Sequence, residues 1–113
     1  MADWDLVRVR ELLVAVIEAR DFEGQGALLG QVPHVQVSGG PVTFLELALE
    51  GSPLASAFEQ GPVPGQCWAY DSGQPIGTLL VWVEKGFLSA LEYGWVTDRP
   101  PSQLPERAQL RFV

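Results

Sequence analysis

Two apolar runs that meet across a glycine turn are the strongest pattern in the chain. Thr78–Val83 is rich in β-branched and aromatic residues, and Phe87–Val96 alternates bulky residues with smaller or polar ones, so both predict pleated strands. Only Glu84-Lys85-Gly86 separates them, and a three-residue loop ending in glycine suits a type I turn followed by an αL residue and a bulge. That register sets Val83 opposite Phe87. Counting outward by twos, one face carries Leu79, Val81, Val83, Phe87, Leu91 and Tyr93, and the other carries Leu80, Trp82, Leu88, Ala90 and Glu92. Both faces are largely apolar, which predicts that each is covered, within the domain or by another chain.

Upstream, Leu6, Val9, Leu13, Val16 and Ile17 recur at helical spacing. They predict a helix from about Asp5 to Arg20, capped by Asp3 or Asp5, lying on the sheet with Arg8, Glu11 and Glu18 towards solvent. Phe22–Val32 carries Gly24, Gly26 and Gly30, so it predicts at most a turn or two of helix, ended by Pro33. His34–Val37 and Val42–Leu49 read as strands joined by Ser38-Gly39-Gly40-Pro41, with Glu46 interrupting the second run. Ser52-Pro53 resembles a cap with proline at the first helical position and predicts a short helix over Leu54–Gln60. Gln66–Asp71 is a further strand, turning through Asp71–Pro75 into the central hairpin, and Ala108–Val113 suits a short edge strand. The expected fold is a single α+β domain: an antiparallel meander sheet of four to five strands with the N-terminal helix packed on one face.

Composition narrows the partners. At 113 residues the chain buries roughly two-thirds of its unfolded surface, enough for a core without staples. The formal net charge is −7, with basic residues scattered at Arg8, Arg10, Arg20, Lys85, Arg99, Arg107 and Arg111. That field repels phosphate backbones, so nucleic acid is a poor partner and a basic protein or cationic ligand a better one. No uncharged run approaches the roughly 20 residues that span a bilayer, and acidic residues stand where a secretory signal would carry cations. A single cysteine, Cys67, fits a reducing compartment, and the expected location is cytoplasmic.

The chemistry-bearing residues do not assemble into a catalytic motif. His34 is the only histidine and has no positioned partner at a recognisable spacing, while Cys67 lacks a CxxC companion. Cys67 and His34 together make no zinc site, and no metal or cofactor is expected. Gly24, Gly26 and Gly30 have neither the preceding strand nor the long following helix of a phosphate loop. Glu92, set between Leu91 and Tyr93, must meet an arginine, accept donors or reach solvent, because an unpaired buried carboxylate is costly. Four tryptophans, Trp4, Trp68, Trp82 and Trp95, exceed what a small core needs and point towards binding, where indole combines large area with a donor.

Three segments, LLGQVPHVQV at Leu28–Val37, GTLLVWVEKGFLSALEY at Gly77–Tyr93 and TDRPPSQLP at Thr97–Pro105, resemble a family of small, functionally uncharacterised bacterial proteins. The shared pattern is a QVxHxxV segment, an LSxLEY hairpin strand and a DxPPxxLP tail. Similar proteins carry cysteines around the turn that is Ser38-Gly39-Gly40-Pro41 here; this chain has none there, so no metal or redox role carries over. The resemblance implies a fold rather than a reaction.

The functional expectation is therefore a non-enzymatic protein-interaction domain, pairing with its own copy or another chain through Leu80, Trp82, Leu88, Ala90 and Trp95. A specific form is an immunity- or antitoxin-like acidic binder of a basic partner. The alternative, from another class, is a small-molecule or peptide pocket between helix and sheet with Glu92 or His34 orienting the ligand.

Overall fold

The computed structural model describes residues 4–113; Asp3, one of the two expected caps, lies outside them. Asp5 caps the first helix, its extended backbone placing the carboxylate 2.8 Å from the Val7 amide that donates to it. Helix α1 runs Leu6–Glu18 and buries Val9, Leu12, Leu13, Ala15, Val16 and Ile17, a wider stripe than the sequence reading by Leu12 and Ala15. Arg10 ties it to the sheet, one guanidinium nitrogen donating to the Val35 carbonyl at 2.8 Å. Helix α2 is short, Gln25–Gln31, and runs into a single 3-10 turn at Val32–His34.

Seven strands follow: β1 Val35–Gly39, β2 Phe44–Leu49, β3 Gln60–Pro62, β4 Cys67–Asp71, β5 Gln74–Glu84, β6 Phe87–Trp95 and β7 Leu110–Phe112. They form one antiparallel sheet in the order β1-β2-β6-β5-β4-β7, with β3 added to the far half of β5. The expected four to five strands in meander order are corrected in two ways. Only β4-β5-β6 is a meander, and β2 pairs with β6 through Phe44–Glu92, Leu45–Leu91 and Glu46–Ala90 rather than with β4. The segment after β2 crosses the tip of the β5–β6 hairpin and returns on the far edge of β5 as β3.

That crossing also replaces the helix expected over Leu54–Gln60. The Ser56 amide donates to Gly86 O at 2.8 Å and the Gly86 amide to Glu59 O at 2.9 Å, so the backbone groups of this segment bond the hairpin tip instead of each other. Ser56, 5% exposed, donates its hydroxyl to Gly24 O at 2.7 Å and accepts from the Phe58 amide at 3.0 Å. An added Cβ on Gly24 would stand 2.2 Å from that hydroxyl oxygen, and Gly24 already has a φ of 90°. Glycine is thus required there on two counts.

The central hairpin closes more tightly than the sequence pattern predicts. Glu84 pairs with Phe87, leaving Lys85 (φ 54°) and Gly86 (φ 84°) as a two-residue turn with both central residues in the left-handed region, the type I′ geometry. The extra residue sits one step into β6: Val83 pairs with Leu88 and Trp82 with Ala90, so Ser89 is a bulge. The bulge swaps two assignments. Leu88 faces the core at 2% exposure, while Phe87 moves to the other face at 37%. Beyond it the expected parity returns, and Leu79, Val81, Val83, Leu91 and Tyr93 join α1, α2 and Leu45 in one buried cluster.

Of the two buried polar side chains among the described residues, Ser56 and Gln31, the glutamine lies deeper. Gln31, the last residue of α2, is fully buried; its amide nitrogen donates to Leu54 O and Gly86 O, both at 2.9 Å, and its oxygen accepts from the Leu88 amide at 3.0 Å. It joins the crossing segment, the hairpin turn and the start of β6 to the helix layer. Gln31→Leu keeps the volume but strands the Leu88 N–H and the Leu54 carbonyl, each costing about 1–3 kcal/mol when buried without a partner. Urea unfolding should therefore show a loss of about 2–6 kcal/mol, against well under half of that for the exposed control Gln103→Leu.

Candidate functional site

Because both helices pack on one side, the outward residues of the strands make a second face with no helix on it. Strand pairing sets these residues in rows. One row runs Phe44, Glu92, Leu80; the next runs Glu46, Ala90, Trp82, Pro62; Glu84 lies beyond, opposite Gln60 and Phe87. Alternation gives each strand its outward set. In β2 the exposed Phe44, Glu46 and Ala48 alternate with Leu45, Leu47 and Leu49, of which Leu45 is fully buried.

Ala90 is the low point of this face. It is 4% exposed yet does not belong to the helix-side core cluster, so its cover comes from the side chains around it. Glu46 and Trp82 flank it on neighbouring strands, about 10 Å apart from Cα to Cα at two strand spacings. The result is a groove of about 560 Å³, walled by Phe44, Glu46, Gln60, Trp82, Glu84 and Ser89. The Trp82 indole N–H donates to a Glu92 carboxylate oxygen at 2.9 Å, which holds the ring on the face and gives the half-buried Glu92 its partner. Among the described residues no lysine, arginine or histidine lines the groove.

Of the five residues expected on an interaction face, Leu80, Trp82 and Ala90 lie on the helix-free side of the sheet. Leu88 does not, for the bulge turns it inward. Trp95 pairs with Gly77 and so falls in the rows of the helix-covered side, 42% exposed at the end of its strand. The tight approach of Tyr93 to Gly77 is on that same side: an added Cβ would meet the ring at 2.4 Å. Phe44, Glu46 and Glu84 were not singled out by the sequence as part of a common surface. The alternation of Phe44 and Glu46 with leucines was the available signal, but only the β2–β6 pairing brings them beside Trp82.

His34 and Glu92 are not brought together. The His34 ring donates through Nδ1 to Glu50 O at 2.9 Å, and its carbonyl accepts from the Glu50 amide at 2.8 Å, closing the β1–β2 hairpin opposite its turn. Glu92 pairs with Phe44 at the start of β2 and His34 adjoins the Val35–Leu49 pair at its end, about 17 Å along the strand. Cys67 is 4% exposed within the core cluster. Burial pushes its thiol up to about 11, opposed only in part by the Arg107 guanidinium. At neutral pH it is a thiol and a weak nucleophile. Among the described residues no three His, Cys, Asp or Glu side chains gather as metal ligands, and no helix is long and apolar enough to cross a membrane. No family model, curated protein or solved structure matches the chain.

Burial also raises Tyr93, with the Asp71 carboxylate adding to the shift. The Cys67 thiol is held neutral by the fold, so its contribution is complete below the ordinary thiol value of 9.0 and is lost as pH rises through about 11, and the raised Tyr93 acts in the same direction. Thermal melts across that range should show a falling midpoint, and Cys67→Ala should flatten the part of the slope that belongs to the thiol.

Proposed function

We propose that this chain is a non-enzymatic protein-interaction domain that docks a basic partner on the helix-free face of its sheet. The observation that carries this reading is the make-up of that face: an aromatic and aliphatic centre, Phe44, Leu80 and Trp82, accompanied by Glu46, Glu84 and Glu92. Apolar area drives such docking and the carboxylates select its charge. The formal charge of −7 adds long-range attraction for a cationic protein, the property an immunity- or antitoxin-like protein needs for fast capture. A contact of roughly 800 Å² a side is of ordinary size for a stable complex. The buried, unpaired Cys67 fits work in the reducing cytoplasm.

Self-association through the same face is disfavoured, since two copies would set like carboxylates against each other. A ligand pocket between helix and sheet has less support, because that interface is filled by the core cluster and Glu92 lies on the other side.

The test uses a decalysine peptide as a basic probe, with amide NMR shifts as the readout. Binding should map to β2, β5 and β6, weaken by at least about tenfold between low and high salt, and fall by a similar factor in Leu80→Lys, which places a cation among the carboxylates. Salt-insensitive binding, shifts confined to the helices, or a stable dimer by light scattering would each sink the reading.

A further inference from the structure

Resting on that reading, we propose that the groove over Ala90 is a receptor for a single arginine side chain of the basic partner. Its dimensions limit what can enter. The walls stand about 10 Å apart between Cα atoms, too narrow for a helix of about 10–12 Å diameter and suited to one flat side chain. Ala90 supplies the depth: its two neighbours in the row, Glu46 and Trp82, are large, and any longer residue between them would fill the space.

The chemistry of the walls selects guanidinium over other cations. Trp82 presents an indole whose N–H is already engaged by Glu92, so the ring is fixed and offers its π-surface rather than a donor. Phe44, 41% exposed, stands on the opposite strand with a second aromatic ring. Glu46 and Glu84 line the same groove, and among the described residues neither carboxylate has a side-chain donor bonded to it. A planar guanidinium can stack on an aromatic ring while its in-plane N–H groups reach carboxylates on either side; a lysine ammonium, a hydrated point charge, gains less from the ring and cannot bond bidentately. Glu46 and Glu84 are the titratable groups that line the groove, Glu92 stands beside Trp82, Lys85 follows Glu84 in the hairpin turn, and Arg111 lies further along the same face on β7, beyond Trp68 and Thr78.

The probe is an acetylated, amidated pentapeptide with one arginine between glycines, compared with its lysine and citrulline versions. The assigned Trp82 indole NMR signal is the readout. Saturable shifts in the millimolar range are expected for arginine, at least about fivefold weaker for lysine, and absent for the uncharged, isosteric citrulline. Ala90→Leu, which fills the floor, and the double variant Glu46→Gln/Glu84→Gln should each lose the response while unfolding at an unchanged urea midpoint for the double variant. Equal binding of citrulline, or arginine binding unaltered in the double variant, would overturn the assignment. If the single-arginine peptide fails while decalysine still binds the face in a salt-dependent way, the arginine receptor falls and the docking face stands. If neither binds, both fall.

Discussion

The three hydrogen bonds of Gln31 hold this fold in register. A glutamine at full burial is expensive unless its amide is satisfied, and here its nitrogen and oxygen tie helix α2 at once to the crossing chain at Leu54, the turn at Gly86 and the start of β6 at Leu88. The Leu88 bond is the most consequential. β2 and β6 pair only over Phe44–Glu46, so the start of β6 lacks a strand on that side, and the side chain of Gln31 supplies the acceptor that a strand would have offered. Gly86 is drawn into the same knot through Ser56 and Glu59, which explains why it is buried although it lies in a turn between the exposed Lys85 and Phe87. An apolar residue at position 31 could fill the space but could not choose among sliding registers.

Register in turn decides what each face of the sheet can do. The type I′ turn at Lys85-Gly86 and the bulge at Ser89 are complementary: the first shortens the loop by one residue and the second restores that residue inside β6. Leu88 is thereby kept with Leu91 and Tyr93 in the core, while Ala90 and Glu92 keep company with Leu80 and Trp82 outside. Without the bulge, either the tip or the body of β6 would present the wrong residues to the helices.

Much of this was legible from the chain, and the remainder was not for physical reasons. The first helix, its Asp5 cap, the central hairpin, the edge strand at the end and the apolar character of both sheet faces follow from local periodicity and turn chemistry, which are properties of neighbours in sequence. The β2–β6 pairing is a contact between residues more than forty positions apart, and nothing local in Phe44 or Glu46 announces Trp82 as a neighbour. The Leu54–Gln60 helix failed because a cap signal, Ser52-Pro53, was outweighed by tertiary hydrogen bonds to Gly86. Gln31 was invisible for a similar reason: a glutamine at the end of a short, glycine-rich helix looks like a solvated residue until the hairpin tip arrives over it. The residues expected on the helix-free face were placed there at Leu80, Trp82 and Ala90, and misplaced at Trp95 and at Leu88, where a one-residue difference in turn length is enough to exchange inside for outside.

Alternation along β2, β5 and β6, shifted once at the Ser89 bulge, has a consequence for how such a protein can change over generations. Foldability draws on Leu45, Leu79, Val81, Leu88 and Leu91, whereas Phe44, Glu46, Leu80, Trp82 and Glu84 stand on the opposite face of the sheet, outside the core cluster. The two sets are interleaved in sequence and separated by the thickness of one sheet. The outward letters of three strands can therefore be rewritten while the inward letters stay under purifying selection, so that divergence in this scaffold should run with a period of two that changes phase at Ser89.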